Sequence, residues 1–387
     1  MRQILWSLLI GVALAGCASK DLPPVSQDFS FEEDERRLWL RSEEEQEVLD
    51  NSGLICPDEG LRVYLNTIAE KLQPEGISEH IEFNIKVIKN PYLNAFAFPN
   101  GIIYVHTGML ARMDNEAQLA TLLAHEMTHC THRHAVKGLR DIKNKTAFLA
   151  GVQVTLGGIG GGIGDLTTLL GAVGTMAAVT GHSRDLEREA DAEGLRRMIG
   201  AGYDPSEASK LFVHLKKELE EEETKEPFFF GSHPRLEERI ENYEILLKTE
   251  CPGGKRGIKN TERFLEEVKP LILDNAELDL KMGRFTIARK GAEKFLALEP
   301  ENARAFCLLG EIFRQRADEG DSDKAKEHYE RAISVDPNYP DAHRGLGLIY
   351  YKEGGCQNAT GHLDAYLRLS PQAMDRVYIE QYIRQCR

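Results

Sequence analysis

The pentapeptide His125-Glu126-Met127-Thr128-His129 constrains this chain more than any other feature in it. Two histidines four residues apart share a face only on a helix, where their imidazoles can converge on one metal ion. The residues before them (Leu119, Leu122, Leu123) are apolar at helical spacing, so the helix is expected to bury a side and hold both rings still. It is expected to run from Asn115 to about His132, with Asp114 placed to cap it. Glu126 adjoins the first histidine and is placed to take a proton from a water at such a metal. A catalytic zinc site needs three protein ligands and one open position, so a further ligand has to come from elsewhere.

Upstream, charged residues with scattered Phe, Leu and Trp from about Asp28 to Leu49 read as an amphipathic helix, and Glu59 to Leu72 as another. Ile81 to Ile88 alternates apolar and polar residues like a half-buried strand. Asn94 to Val105 reads as two strands joined at Pro99-Asn100-Gly101, and the strand near Ile102 to Val105 could hold an extended peptide by edge pairing. Downstream, Ala147 to Gly181 is apolar but too rich in glycine for a firm helix, and it reads as loosely packed helices that could touch membrane or partner. Leu186 to Ile199 and Pro205 to Glu223 are helical by pattern.

The tail repeats. Gly347, Tyr350, Gly354, Ala359, Tyr366 and Pro371 echo Gly310, Phe313, Ala325, Tyr329, Ala332 and Pro337, and more faintly Ala276, Gly283, Ala288 and Pro300. Pro337 and Pro371 stand 34 residues apart, the tetratricopeptide period, while Pro300 and Pro337 stand 37 apart with an insertion near Asp318 to Asp321. Thr261 to Arg387 is therefore expected to be a helical repeat array whose concave face takes a partner.

The further ligand is sought in Ser183 to Asp191, where Glu187 and Asp191 stand four apart on one helical face. One carboxylate can bind zinc while the other orients a ligand histidine from behind. Glu189 faces elsewhere and reads as a solvated charge, His132 and His134 as local hydrogen-bonding groups, and Cys130 as a small core residue rather than a ligand.

HEMTH followed by the E-x-x-A-D stretch at Glu187 to Asp191, with NAFAFPNGIIYVHTGML before and Arg133-His134 after, resembles the HtpX and CAAX-prenyl-protease family of metallopeptidases. With the repeat tail it looks most like that family's BepA branch. The resemblance implies a mainly α (α+β) fold: a gluzincin-type metallopeptidase domain with a small β-sheet, then a tetratricopeptide-repeat superhelix. It implies one Zn2+ per chain held by His125, His129 and Glu187, Glu126 as catalytic base, and Asp191 behind the ligands. By the same resemblance His233 in Ser232-His233-Pro234 can gate the metal, and Arg239 is either a residue near the site or a salt-bridged helix residue.

Positive Met1-Arg2, the short apolar stretch Ile4 to Leu14, and Leu14-Ala15-Gly16-Cys17 follow a secretory signal and resemble a bacterial lipobox, with Cys17 the lipidated residue. The expected organisation is signal peptide 1–16, tether and helix 17–50, metallopeptidase 51–250, and repeats 261–387. Export permits disulfides among the other cysteines, but spacing does not reveal their pairing. A formal net charge of −14 argues against nucleic acid as main partner. The expectation is a periplasmic endopeptidase, lipid-anchored at the outer membrane, that acts on misfolded or stalled envelope polypeptides. Its repeats would engage envelope or outer-membrane assembly proteins. The alternative is a chaperone or assembly factor with a rarely open peptidase site.

Overall fold

The computed structural model describes residues 22–26, 29–74, 76–77, 80–144, 182–222, 236–254 and 256–387. Cys17, the glycine-rich 147–181 segment and His233 lie outside the described residues.

The chain opens with helices α1 (Glu33–Asp50) and α2 (Glu59–Leu72). A three-stranded sheet follows: β1 (Asn84–Ile88), β2 (Ala95–Ala97) and β3 (Ile102–His106). The turn between β2 and β3 uses Gly101 at φ 95°, a conformation that costs glycine little. β3 lies in the middle, parallel to β1 and antiparallel to β2. The expectation that the Ile102 to Val105 strand offers an edge is therefore wrong, because both its sides are already hydrogen-bonded. On its outer side β1 is met at one end by the bridge from Ile55 to Ile88 and near the other by the Asn66 side chain, which bonds the Ile85 N–H and carbonyl. Among the described residues, no strand pairs with the outer side of β2.

After the short α3 (Thr107–Arg112) comes α4 (Glu116–Thr131), which carries both histidines. Its cap is Asn115, whose side chain accepts from the Gln118 N–H at 3.0 Å. Asp114, the expected cap, instead lies half-exposed with His214 and Lys294 near its carboxylate. Every residue of α4 is buried, polar ones included, so it is the central helix of its region. Around it lie α5 (His134–Asn144), α6 (Arg184–Gly200), α7 (Ser206–Glu222) and α8 (Leu236–Glu250).

The repeats form α9 (Thr261–Lys281), α10 (Phe285–Leu298), α11 (Ala303–Arg316), α12 (Asp321–Val335), α13 (Pro340–Lys352), α14 (Cys356–Leu369) and α15 (Arg376–Gln385). The small residues of the repeat pattern let paired helices close on aromatic rings. The buried Tyr329 ring lies against Gly310 and Gly345, where an added Cβ would come within 2.7 Å and 2.2 Å of it. Cys356 and Cys386 form a disulfide that ties α15 to the start of α14. Phe264, Val268, Leu271, Ile272 and Ala276 of α9 belong to the same core as Leu119, Leu122 and Leu123 of α4. The junction is also polar: Arg112 pairs with Glu218 and Asp279, and Thr107 Oγ1 donates to Asn275 Oδ1 at 3.0 Å. Among the described residues no helix is long and apolar enough to cross a membrane.

Candidate metal centre

Helix α4 turns His125 and His129 to one side, as four-residue spacing requires, and their Nε2 atoms lie 2.9 Å apart. Helix α6 crosses it so closely that an added Cβ on Gly194 would come within 3.1 Å of the His125 backbone nitrogen. Glu187, seven residues before Gly194, lies on nearly the same face of α6 and meets the two imidazoles. Its Oε2 is 3.5 Å from His125 Nε2 and its Oε1 is 3.5 Å from His129 Nε2. A tetrahedral ion with ligands at ~2.05 Å has ligand–ligand edges of about 3.3 Å. The observed edges bracket that value, and two imidazoles with one carboxylate suit zinc. The residues present fit the ion.

Behind this trio lies a charged support. His125 Nδ1 is 3.0 Å from Asp191 Oδ1, and Arg239 reaches Asp191 at 2.5 Å and His125 Nδ1 at 2.9 Å. Arg239 is thus at once salt-bridged and beside the site. It stacks over Phe212 at 4.1 Å, and Asn242 also donates to Asp191. Burial raises the Asp191 carboxyl, but the Arg239 charge and the His125 hydrogen bond outweigh it and hold the pKa below its ordinary value. Asp191 therefore remains an anion that accepts from His125 and fixes the tautomer with Nε2 turned to His129 and Glu187.

Glu126 is 1 % exposed beside His125, and Cys130 is buried, its thiol donating to the Phe98 carbonyl at 3.2 Å. Burial pushes that thiol well above its usual range, so Cys130 is an inert core residue.

The reading of Glu189 as a solvated charge needs correction. His134 Nε2 lies 3.2 Å from Glu189 Oε2, and that hydrogen bond, with Lys137 nearby, holds the Glu189 pKa down at about 2. Spacing could not reveal the contact, because His134 is brought back toward α6 by a chain reversal after α4. Burial also lowers the pKa of His132, to about 4, and that of His134, so both are neutral at pH 7. A second trio, His129, His134 and His182, brings nitrogens within 4.8 Å of one another. The rings of His129 and His182, however, stack with centroids 3.9 Å apart and planes 14° apart. In-plane lone pairs of stacked rings cannot aim at one ion, so this is no second metal cluster.

Residues 62–245 match peptidase family M48, and residues 273–319 and 314–354 match tetratricopeptide repeats. The chain carries an M48 peptidase domain followed by tetratricopeptide repeats. It is similar to the beta-barrel assembly-enhancing protease of Escherichia coli, 27 % identical over 197 residues, which are 50 % of this chain and 40 % of that one. It is similar to the metalloprotease LoiP of E. coli, 26 % identical over 62 % of this chain and 95 % of that protein. The mitochondrial metalloendopeptidase OMA1 of Arabidopsis thaliana is 33 % identical over 36 % of this chain and 27 % of its own. The chain spans about two fifths of the length of the assembly-enhancing proteases it matches.

Proposed function

We propose that this M48 domain is a zinc-dependent endopeptidase acting on polypeptides of the bacterial cell envelope. The observation that carries the reading is the convergence of His125, His129 and Glu187, with Asp191, itself held by Arg239, orienting the first histidine. His125, His129 and Glu187 would hold the zinc, which would supply Lewis-acid chemistry to polarise the scissile carbonyl and make the attacking water more acidic. Glu126 takes the proton as the water oxygen bonds to the carbonyl carbon. It holds that proton at its carboxylate and delivers it to the leaving amine nitrogen as the C–N bond breaks.

The outer side of β2 is the edge available to an extended substrate, since β1 and β3 are covered. The repeats select partners among envelope or outer-membrane assembly proteins, a reading supported by the name of the assembly-enhancing relatives. The Cys356–Cys386 disulfide supports an oxidising, exported location, in line with a Cys17 lipid anchor at the outer membrane.

One observation favours the second reading, a chaperone or assembly factor with a rarely open peptidase. His125, Glu126, His129 and Glu187 are each at most 5 % exposed, which suits a site that opens rarely. A gate at His233 is the reading's candidate for that control. Zinc content and casein cleavage of wild type, Glu126→Gln and His233→Ala decide the matter. One zinc per chain, cleavage lost in Glu126→Gln and raised in His233→Ala is the expected result. Bound zinc with no cleavage by any of the three favours the chaperone, and absence of zinc removes the proposal.

A further inference from the structure

His125 is held from behind by Asp191, which Arg239 holds in turn, and His129 needs an equivalent, because an imidazole free to turn about χ2 holds a metal poorly. We infer that His134 and Glu189 form that support: a positioning pair that orients His129 through its Nδ1. The inference rests on the reading of His125, His129 and Glu187 as the ligand set.

The geometry determines each proton in turn. His129 turns Nε2 toward Glu187 and His125, so as a ligand it carries its proton on Nδ1. That nitrogen lies 2.8 Å from His134 Nδ1, which must therefore accept. His134 then carries its proton on Nε2, and Nε2 lies 3.2 Å from Glu189 Oε2, which accepts it. The two ligand histidines are thus supported differently: one directly by a buried carboxylate, the other by a neutral imidazole whose far side ends on a carboxylate. Glu189 keeps 39 % of its side chain exposed, so the second chain of hydrogen bonds runs from the ligand cluster toward the surface.

The backbone is arranged to make this contact. Arg133 adopts left-handed φ 58° directly after α4, a conformation that costs a non-glycine residue about 1–2 kcal/mol. Its N–H donates to the Cys130 carbonyl, closing the helix end. The guanidinium is held by both oxygens of buried Glu35, at 2.9 and 2.5 Å, and lies 5.1 Å over the Phe29 ring. This reversal starts α5 at His134 and turns its fully buried ring back onto His129.

The test uses the full chain, with zinc affinity measured by chelator competition and Co2+ as a spectroscopic probe. His134→Phe keeps an aromatic ring, though a larger one, but removes the acceptor, and it is expected to weaken zinc about 10- to 100-fold and shift the cobalt ligand-field bands. His134→Gln, whose amide oxygen can accept, should recover most of both signals, which a merely structural role would not require. Glu189→Ala, at a partly exposed site, should lower affinity by a smaller factor without loss of fold. His134→Phe that folds, binds zinc like wild type and leaves the cobalt spectrum unchanged overturns the inference. If that variant does not fold, unchanged affinity in Glu189→Ala overturns it instead. Failure of the underlying reading is distinguishable: there wild type binds no zinc, or His125→Ala and Glu187→Ala bind it as tightly as wild type.

Discussion

Gly194→Ala tests whether the contact between α4 and α6 sets the proposed metal site. The added Cβ would lie 3.1 Å from the His125 nitrogen and 3.3 Å from the Ala124 carbonyl carbon and His125 Cα. Ordinary carbon contacts lie near 3.5–4.0 Å, so the helices must separate locally by a few tenths of an ångström. The neighbouring atoms are backbone of a wholly buried helix, so they cannot turn aside as a flexible side chain would. Overpacking of this kind costs about 1–3 kcal/mol, while replacing glycine by alanine in a helix returns about 1 kcal/mol. The net change in metal-free stability is therefore small, between about zero and 2 kcal/mol of loss.

Metal affinity should be hit harder. Glu187 rides on α6 while both histidines ride on α4, so separation lengthens the two 3.5 Å edges together. A loss of ~1.4 kcal/mol in binding is tenfold, and at least that much is expected. Chemical denaturation of the metal-free protein and chelator competition for zinc measure the two quantities separately. Gly200→Ala, on the same helix with nothing within 4 Å of its added Cβ, is the control and should stabilise slightly. If Gly194→Ala behaves like Gly200→Ala and binds zinc with wild-type affinity, the close approach does not set the site and the reasoning is wrong.

Three further outcomes are expected. Gly345→Ala would put a Cβ 2.2 Å from the Tyr329 ring and should destabilise the repeats by about 1–3 kcal/mol, read by urea denaturation. Burial holds the His106 pKa at about 4, so folding favours its neutral form, and the unfolded chain binds the extra proton below pH ~6.5. Its contribution is therefore present above that pH and is lost as pH falls toward 4, by up to roughly 3 kcal/mol, and His106→Gln should flatten that part of the stability profile. Reducing the Cys356–Cys386 disulfide opens a loop of 30 residues, worth roughly 3–4 kcal/mol in the chain-entropy account. Amide exchange should then rise in α15 and little elsewhere, and uniform acceleration would contradict a local clamp.

What could be read from the chain alone was what depends on near neighbours. The four-residue spacings of His125 and His129, and of Glu187 and Asp191, imply shared helix faces, and both pairs meet across one crossing. The 34-residue period implied paired helices and named Gly310, one of the two glycines that receive Tyr329; Gly345, the other, was not among the named positions. Strand order was not legible, because alternation marks a half-buried strand without saying which strands lie beside it; β3 proved central rather than an edge. The helix cap moved from Asp114 to Asn115 because nearby polar groups compete for such roles through contacts made by other elements. Arg239 gained its place from α8 folding against α6, and His134 from a left-handed residue held by Glu35 nearly a hundred positions earlier. Local spacing determined which side chains could act together. Apart from Asp191, which groups stand behind them was decided by long-range packing, since only the folded chain brings a distant charge within hydrogen-bond reach.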